Sequence, residues 1–153
     1  MERAYHFLKE ILKDNDTVVV AVSAGPDSMA LFDTLISLKQ EKQINIICAH
    51  VNHNTGRLGQ NEEQAYVEEY CKKNKVIFEL LKIDSYSDNN FESEAREKRY
   101  QFFDELIKKY KAKYLLTAHH GDDLVETILM RIVRGSTLKG YSGFSKIVDK
   151  KKL

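Results

Sequence analysis

The chain has 153 residues, 42% of them hydrophobic and 31% charged, with a net charge of +1. This suits one soluble domain with a real core, and so small a net charge announces no nucleic-acid partner through a global field. No apolar run approaches a membrane span and no signal-peptide layout opens the chain, so no membrane is expected and the cytoplasm is the default location.

Tyr5, Leu8, Ile11 and Leu12 recur at helical spacing and predict a first helix of about ten residues. Asp14-Asn15-Asp16 reads as a turn. A first strand is predicted from Thr17 to Val22, rich in β-branched residues. The turn Ser23-Ala24-Gly25-Pro26 follows, and Asp27-Ser28 opens an amphipathic helix to about Lys39. Free N–H groups and the dipole at such a helix start favour an anion. Gly25 lets backbone approach a ligand, Pro26 fits the first helical position, and Ser23 and Ser28 add hydroxyl donors. The loop reads as a phosphate cradle; an ordinary strand–turn–helix with Ser23 or Asp27 as a cap accounts for the same residues. With no lysine and one glycine it is neither a Walker A loop nor a G-x-G-x-x-G turn. Asp27 would repel phosphate unless a cation intervened, which suggests a metal-bridged polyphosphate.

A second strand is predicted from Ile44 to Val51, apolar nearly throughout as a buried parallel strand should be. It ends in His50-Val51-Asn52-His53, followed by Asn54-Thr55-Gly56-Arg57. Two histidines so spaced can bind metal or simply hydrogen-bond at the surface. A third helix spans about Glu62 to Asn74, with Val67, Tyr70, Cys71 and Asn74 on one face, and a third strand runs from Val76 to Ile83. After the polar loop 84–90 comes a long helix from about Glu92 to Tyr110, with Ala95, Phe102, Phe103, Leu106, Ile107 and Tyr110 facing inward. Glu92 with Arg96 and Glu94 with Lys98 make i,i+4 pairs on its solvent face. A fourth strand is read from Tyr114 to Thr117, and a last helix from about Asp122 to Val133 with Val125, Ile128, Leu129 and Ile132 apolar. Cys48 and Cys71 form no C-x-x-C pair, so neither a zinc ribbon nor an iron–sulfur site is signalled, and two buried free thiols are expected.

Strand and helix alternate, which predicts an α/β domain: a Rossmann-like parallel sheet with helices on both faces. Ligands in such sheets sit at the carboxyl ends of the strands where strand order reverses, and Ser23, His50 and Thr117 fall at such ends. The densest polar cluster is Thr117-Ala118-His119-His120-Gly121-Asp122-Asp123-Leu124-Val125-Glu126-Thr127. On a helix, Asp122 and Glu126 share one face, as do Asp123 and Thr127. Acids at a helix start suit capping, but so many ionisable groups at one sheet edge exceed what capping needs. Carboxylates there can hold Mg²⁺, with substrate phosphates completing the octahedron.

The loop Ser23-Ala24-Gly25-Pro26-Asp27-Ser28 resembles the S-G-G-x-D-S loop of the PP-loop ATP pyrophosphatases, with Ala24 where that family usually has glycine. His50-Val51-Asn52-His53 resembles the lysidine synthetase branch, here with Arg57 displaced by one residue. Glu94-Ala95-Arg96 with Arg99-Tyr100 and Phe103 resembles that branch's helix beside the active site, and Arg96 and Arg99 could face ATP or RNA phosphate. The run from Thr117 to Thr127 matches the family's T-A-H-H-x-D-D-x-x-E-T signature and continues into Arg131, Arg134-Gly135-Ser136 and Lys139-Gly140. The resemblance covers residues 17–143 and is to the tRNA(Ile)-lysidine synthetase family, with the adenine nucleotide alpha hydrolase-like fold. It implies a ligase that adenylates the wobble cytidine of tRNA(Ile), after which free L-lysine displaces AMP. It implies ATP contacts from Ser23, Ala24, Gly25, Pro26, Asp27, Ser28 and His50, and Mg²⁺ on Asp27 and Asp123. His119, Asp122 and Glu126 become candidates to bind the lysine ammonium or take its proton, and Arg131, Arg134 and Lys139 to bind RNA, with Lys146 extending that basic run. A tRNA 2-thiolation enzyme is the nearest rival, disfavoured by the lack of a C-x-x-C pair. A truncated ATP-binding module without full activity is the rival from another class. The expected organisation is a single N-terminal PP-loop catalytic domain over residues 1–153, incomplete at its C-terminal edge and lacking C-terminal tRNA-binding domains. A homodimer is an open expectation.

Overall fold

A computed structural model of the chain describes residues 2–53, 59–83, 91–120, 125–132 and 144–150. The elements, in order, are α1 (Glu2–Ile11), β1 (Thr17–Ala21), α2 (Pro26–Glu41), β2 (Asn45–Asn52), α3 (Gln60–Lys73), β3 (Ile77–Lys82), α4 (Phe91–Tyr110), β4 (Tyr114–His120), β5 (Val125–Ile132) and β6 (Phe144–Lys150). They form one six-stranded sheet in the order β3-β2-β1-β4-β5-β6. The four strands from β3 to β4 are parallel, as the alternating pattern predicts, and β5 and β6 extend the β4 edge antiparallel.

Period-two packing explains the layers. Val18 and Val20 of β1 and Ile46 and Cys48 of β2 enter one core with Leu8 of α1 and Leu12 just past it, Leu31, Phe32, Leu35 and Leu38 of α2, and Val67 and Cys71 of α3. Val19, Ile47, Ala49 and Leu115 point the other way, against Phe102, Phe103, Leu106 and Ile107 of α4. Helices therefore cover both faces, and β1 and β2 are buried on both, which is why they read as apolar runs. Cys48 and Cys71 are buried free thiols in the first core. A hydrogen bond with Cys71, together with burial, pushes the Cys48 thiol up.

Helices α3 and α4 end in left-handed turns occupied by lysine: Lys75 has φ 57° and Lys111 φ 53°. Val76 N donates to Cys71 O at 2.9 Å and Ala112 N to Ile107 O at 3.0 Å, so the residue after each left-handed lysine closes its helix. The Glu94–Lys98 pair forms at 3.5 Å.

One expected element is wrong. The helix expected over 122–133 is instead strand from Val125 to Ile132, paired antiparallel with β4. The stretch satisfies both periods: Val125, Ile128, Leu129 and Ile132 suit a helical face, while Ile128, Met130 and Ile132 suit a strand face. Its β-branched residues and the otherwise unpaired edge of β4 decide for the strand. The helical-face argument that put Glu126 below Asp122, and Thr127 below Asp123, lapses with it. Strand β6 carried no signal read from the sequence.

Candidate functional site

Strand order reverses between β1 and β4: β2 and β3 lie to one side of β1 and β4 to the other. A crevice at that point is where ligands of such sheets bind. The register aligns Ala21 with Ala49 and with Thr117, so the loops after these positions share one edge. There lies a cavity of about 460 Å³, with walls that include Ser23, Ser28, Asn52, Glu63, Arg99 and Thr117.

Its floor is the loop from β1 to α2. Ser23 N donates to Ser28 Oγ at 3.0 Å, the two hydroxyls lie 3.0 Å apart, and Ser28 Oγ donates to Gly25 O at 3.2 Å. The turn is thereby closed by hydroxyls, and Gly25, the N-cap residue, makes no side-chain cap bond. The left-handed residue of the loop is Ala24, with φ 68°. Gly25 is extended, with φ −72°, and a Cβ there would meet Ser23 Oγ at an ordinary 3.4 Å. The conformational demand thus falls on the position where the resembled loop has glycine, at a cost of about 1 kcal/mol. Asp27 lies in the first turn of α2, where the helix dipole suits its charge.

His50 stands behind the loop rather than in the cavity wall. It is buried, its Nδ1 lies 2.7 Å from Val22 O, and its ring stacks on Phe78. A carbonyl only accepts, so Nδ1 is the donor of this bond. Val51, Asn52 and His53 of the same segment do line the cavity. From α4 come Arg96, Arg99, Tyr100 and Phe103. Arg99 Nε is buried without a hydrogen-bond partner among the described residues. A buried donor in that state costs free energy until a ligand or water takes it.

Ser23 and Ser28 are therefore brought to the cavity, with Arg96 and Arg99 opposite. Asp122, Asp123, Arg134 and Lys139 lie outside the described residues, as does Arg57, and for His119, Glu126, Arg131 and Lys146 only the backbone is described. The register sets His119 opposite Thr127 and His120 opposite Glu126. Among the described residues no cluster of His, Cys, Asp or Glu is built to hold a metal alone. Asp27, in the first turn of α2, is not among the residues that line the cavity. The sequence reading passed over Gln60 and Glu63, although α3 begins just past the carboxyl end of β2 and so must start at this edge. None of the described helices is long and apolar enough to cross a membrane.

A family model described as PP-loop domain matches residues 1–153. The chain is 43% identical over 152 residues to a tRNA(Ile)-lysidine synthase of Bacillus cereus, covering 95% of this chain and 32% of that protein. It is 41% identical over 146 residues to the enzyme of that name from Geobacillus kaustophilus, covering 92% and 32%, and 40% identical over 136 residues to that of Bacillus subtilis, covering 86% and 29%. The chain thus spans about a third of the length of the curated relatives it matches. Its fold is similar to that of the U34-tRNA thiolase NcsA from Methanococcus maripaludis, with a TM-score of 0.61, 18% identity, and 76% of this chain and 42% of that chain covered. With a hydroxyl-closed loop at the switch point and a family model matched from end to end, the chain belongs to the PP-loop domain family.

Proposed function

We propose that this chain carries the ATP-dependent chemistry of lysidine formation. The cytidine 2-carbonyl oxygen attacks the α-phosphate of ATP and pyrophosphate leaves. The lysine ε-amine then attacks C2 of the base and AMP leaves. The observation that supports this most is the meeting, in one cavity, of the Ser23–Ser28 hydroxyl pair with Arg99, whose buried Nε lacks a partner among the described residues. Hydroxyls and helix N–H groups suit the terminal phosphates, and a guanidinium suits a phosphate on the α side or on RNA. The relatives' name, tRNA(Ile)-lysidine synthase, supports tRNA(Ile) as the substrate, and free lysine is the amine that the sequence resemblance implies.

Asp27, with Asp123, would hold Mg²⁺, which when bound neutralises charge on the phosphates. Ala24, Gly25 and Pro26 shape the turn, and His50 holds it from behind through Val22 O. His119, Asp122 and Glu126 remain the candidates to take the proton from the reacting ε-amine, which is mostly protonated at neutral pH. Arg131, Arg134 and Lys139 would bind RNA phosphate in a salt-dependent way.

Product analysis tests the reading, with α-labelled ATP, Mg²⁺, lysine and unmodified tRNA(Ile). AMP and pyrophosphate formed only when tRNA and lysine are both present support it. AMP formed without lysine, or ATP bound with no AMP formed, overturns it for this chain. Asp27→Asn should lower AMP formation by about a hundredfold or more if its carboxylate shares the cation. An unchanged rate would remove Asp27 from the metal site.

A further inference from the structure

The small net charge hides a strong asymmetry. The last turns of α1 to α4 and the connections after them, residues 8–16, 38–44, 70–76 and 107–113, lead into the amino ends of the parallel strands. These segments carry eleven lysines against four carboxylates, on a chain whose net charge is +1. Cations suit the carboxyl ends of helices through the dipole. Some are used locally: Lys9 pairs with Glu41 and Lys113 with Asp16, while Lys39 and Lys42 donate to backbone carbonyls. Lys72, Lys73, Lys75 and Lys111 are exposed, and their ammonium groups have no partner among the described residues. Lys75 and Lys111 also hold left-handed backbone, where glycine would cost less. Local stability therefore does not account for a lysine at either position.

We infer that this amino edge is a second contact surface for RNA, holding the sugar-phosphate backbone of the tRNA away from the reacting base. The inference rests on the proposal that tRNA is the substrate. Helix α3 packs on one face of the sheet and α4 on the other, so Lys72, Lys73 and Lys75 lie to one side of the edge and Lys111 to the other. A polymer with one negative charge per nucleotide meets cations so dispersed, and a lysine ammonium serves it as a point charge that reads no sequence. An acidic protein segment would need carboxylates spaced to match. The register adds Arg131, which pairs with Leu115, the second residue of β4. Strand β5 thus returns a residue already proposed for RNA to this edge. At about 3.3 Å per residue, the seven residues of β4 put the edge about 20 Å from the cavity. Contacts there add affinity without touching the chemistry.

The test measures binding of unmodified tRNA(Ile) to the full chain by fluorescence anisotropy over a series of salt concentrations. One double variant carries Lys72→Ala and Lys73→Ala, another Lys75→Gly and Lys111→Gly, and a third chain carries all four changes. The four-site variant should bind about tenfold or more weakly at low salt, and its slope of log affinity against log salt should be shallower by about two or more. Lys75→Gly with Lys111→Gly should unfold at higher urea yet bind RNA less tightly, two opposite changes that a merely structural role does not produce. Lys9→Ala, whose cation is already paired, should keep the wild-type slope. ATP titration on the same samples checks that the cavity is intact. Wild-type affinity and slope in the four-site variant would overturn the inference and leave the proposed function standing. Polyglutamate bound as tightly as tRNA, and lost in the same variant, would overturn it in favour of an acidic protein partner. A wild-type chain that binds ATP but no tRNA would overturn both.

Discussion

The two edges of the sheet treat polar groups in opposite ways. At the carboxyl edge, His50, Asn52 and Ser28 are buried, with their polar atoms on fixed partners. At the opposite edge the charges pair in the open, as Lys9 with Glu41 at 3.1 Å and Lys113 with Asp16 at 3.8 Å. Breaking a buried hydrogen bond costs about 1–3 kcal/mol, while an exposed ion pair contributes about 0–1 kcal/mol. Each buried polar contact described at the carboxyl edge is therefore worth more than an ion pair at the opposite edge. Left-handed residues occur at both edges, yet Ala24 sits in the loop beside the cavity, while Lys75 and Lys111 end helices.

The largest effect should come from His50→Ala. It removes a buried ring stacked on Phe78 and leaves Val22 O without that donor. We expect a loss of about 3 kcal/mol in urea denaturation. Lys9→Ala, which breaks an exposed pair, should cost about 0.5 kcal/mol or less. Equal losses would erase the contrast between the edges.

Glycine at a left-handed position sharpens the comparison. Ala24→Gly and Lys111→Gly should each stabilise by about 1 kcal/mol, because each relieves a side chain at positive φ. Only Ala24→Gly should alter ATP affinity, read by nucleotide titration. A change in ATP affinity from Lys111→Gly would place a ligand contact at the wrong edge.

A smaller effect belongs to neither edge. Tyr70 on α3 donates to Asp33 on α2, and burial, with that bond, raises its phenol to about 12. The unfolded phenol titrates near 10. The folded state thus holds the proton more tightly, so this contribution is complete below about pH 10 and is lost as pH rises from about 10 to 12. Tyr70→Phe should flatten stability across that window, measured by denaturant titration at several pH values.

Much of this fold was legible because the chain punctuates it. The β-branched run before Ser23, the Pro26 start and the period-two burial of β1 and β2 are local signals, and the structure follows them to within a few residues. Residues 125–132 were misread because Val125, Ile128, Leu129 and Ile132 satisfy a helical stripe, and pairing with the open edge of β4 tips the balance between the two periods. Ser23, Ser28, Arg96 and Arg99 could be named as site residues from their motifs. Glu63 could not, since its place depends on Asn52 reaching Asn61 and Gln64 across the loop between β2 and α3. The part of His50 was half legible: its strand end was right, but burial against Val22 O is a tertiary fact.

The central claim is that ATP binds at the carboxyl edge, where β1 and β4 part. The direct measurement is the change in backbone amide NMR shifts on adding ATP and Mg²⁺ to the chain. The account predicts the largest changes at Ser23, Gly25, Ser28 and Thr117 and along residues 96–103 of α4. Changes concentrated at Lys75 and residues 108–113, or none at saturating nucleotide, would contradict it.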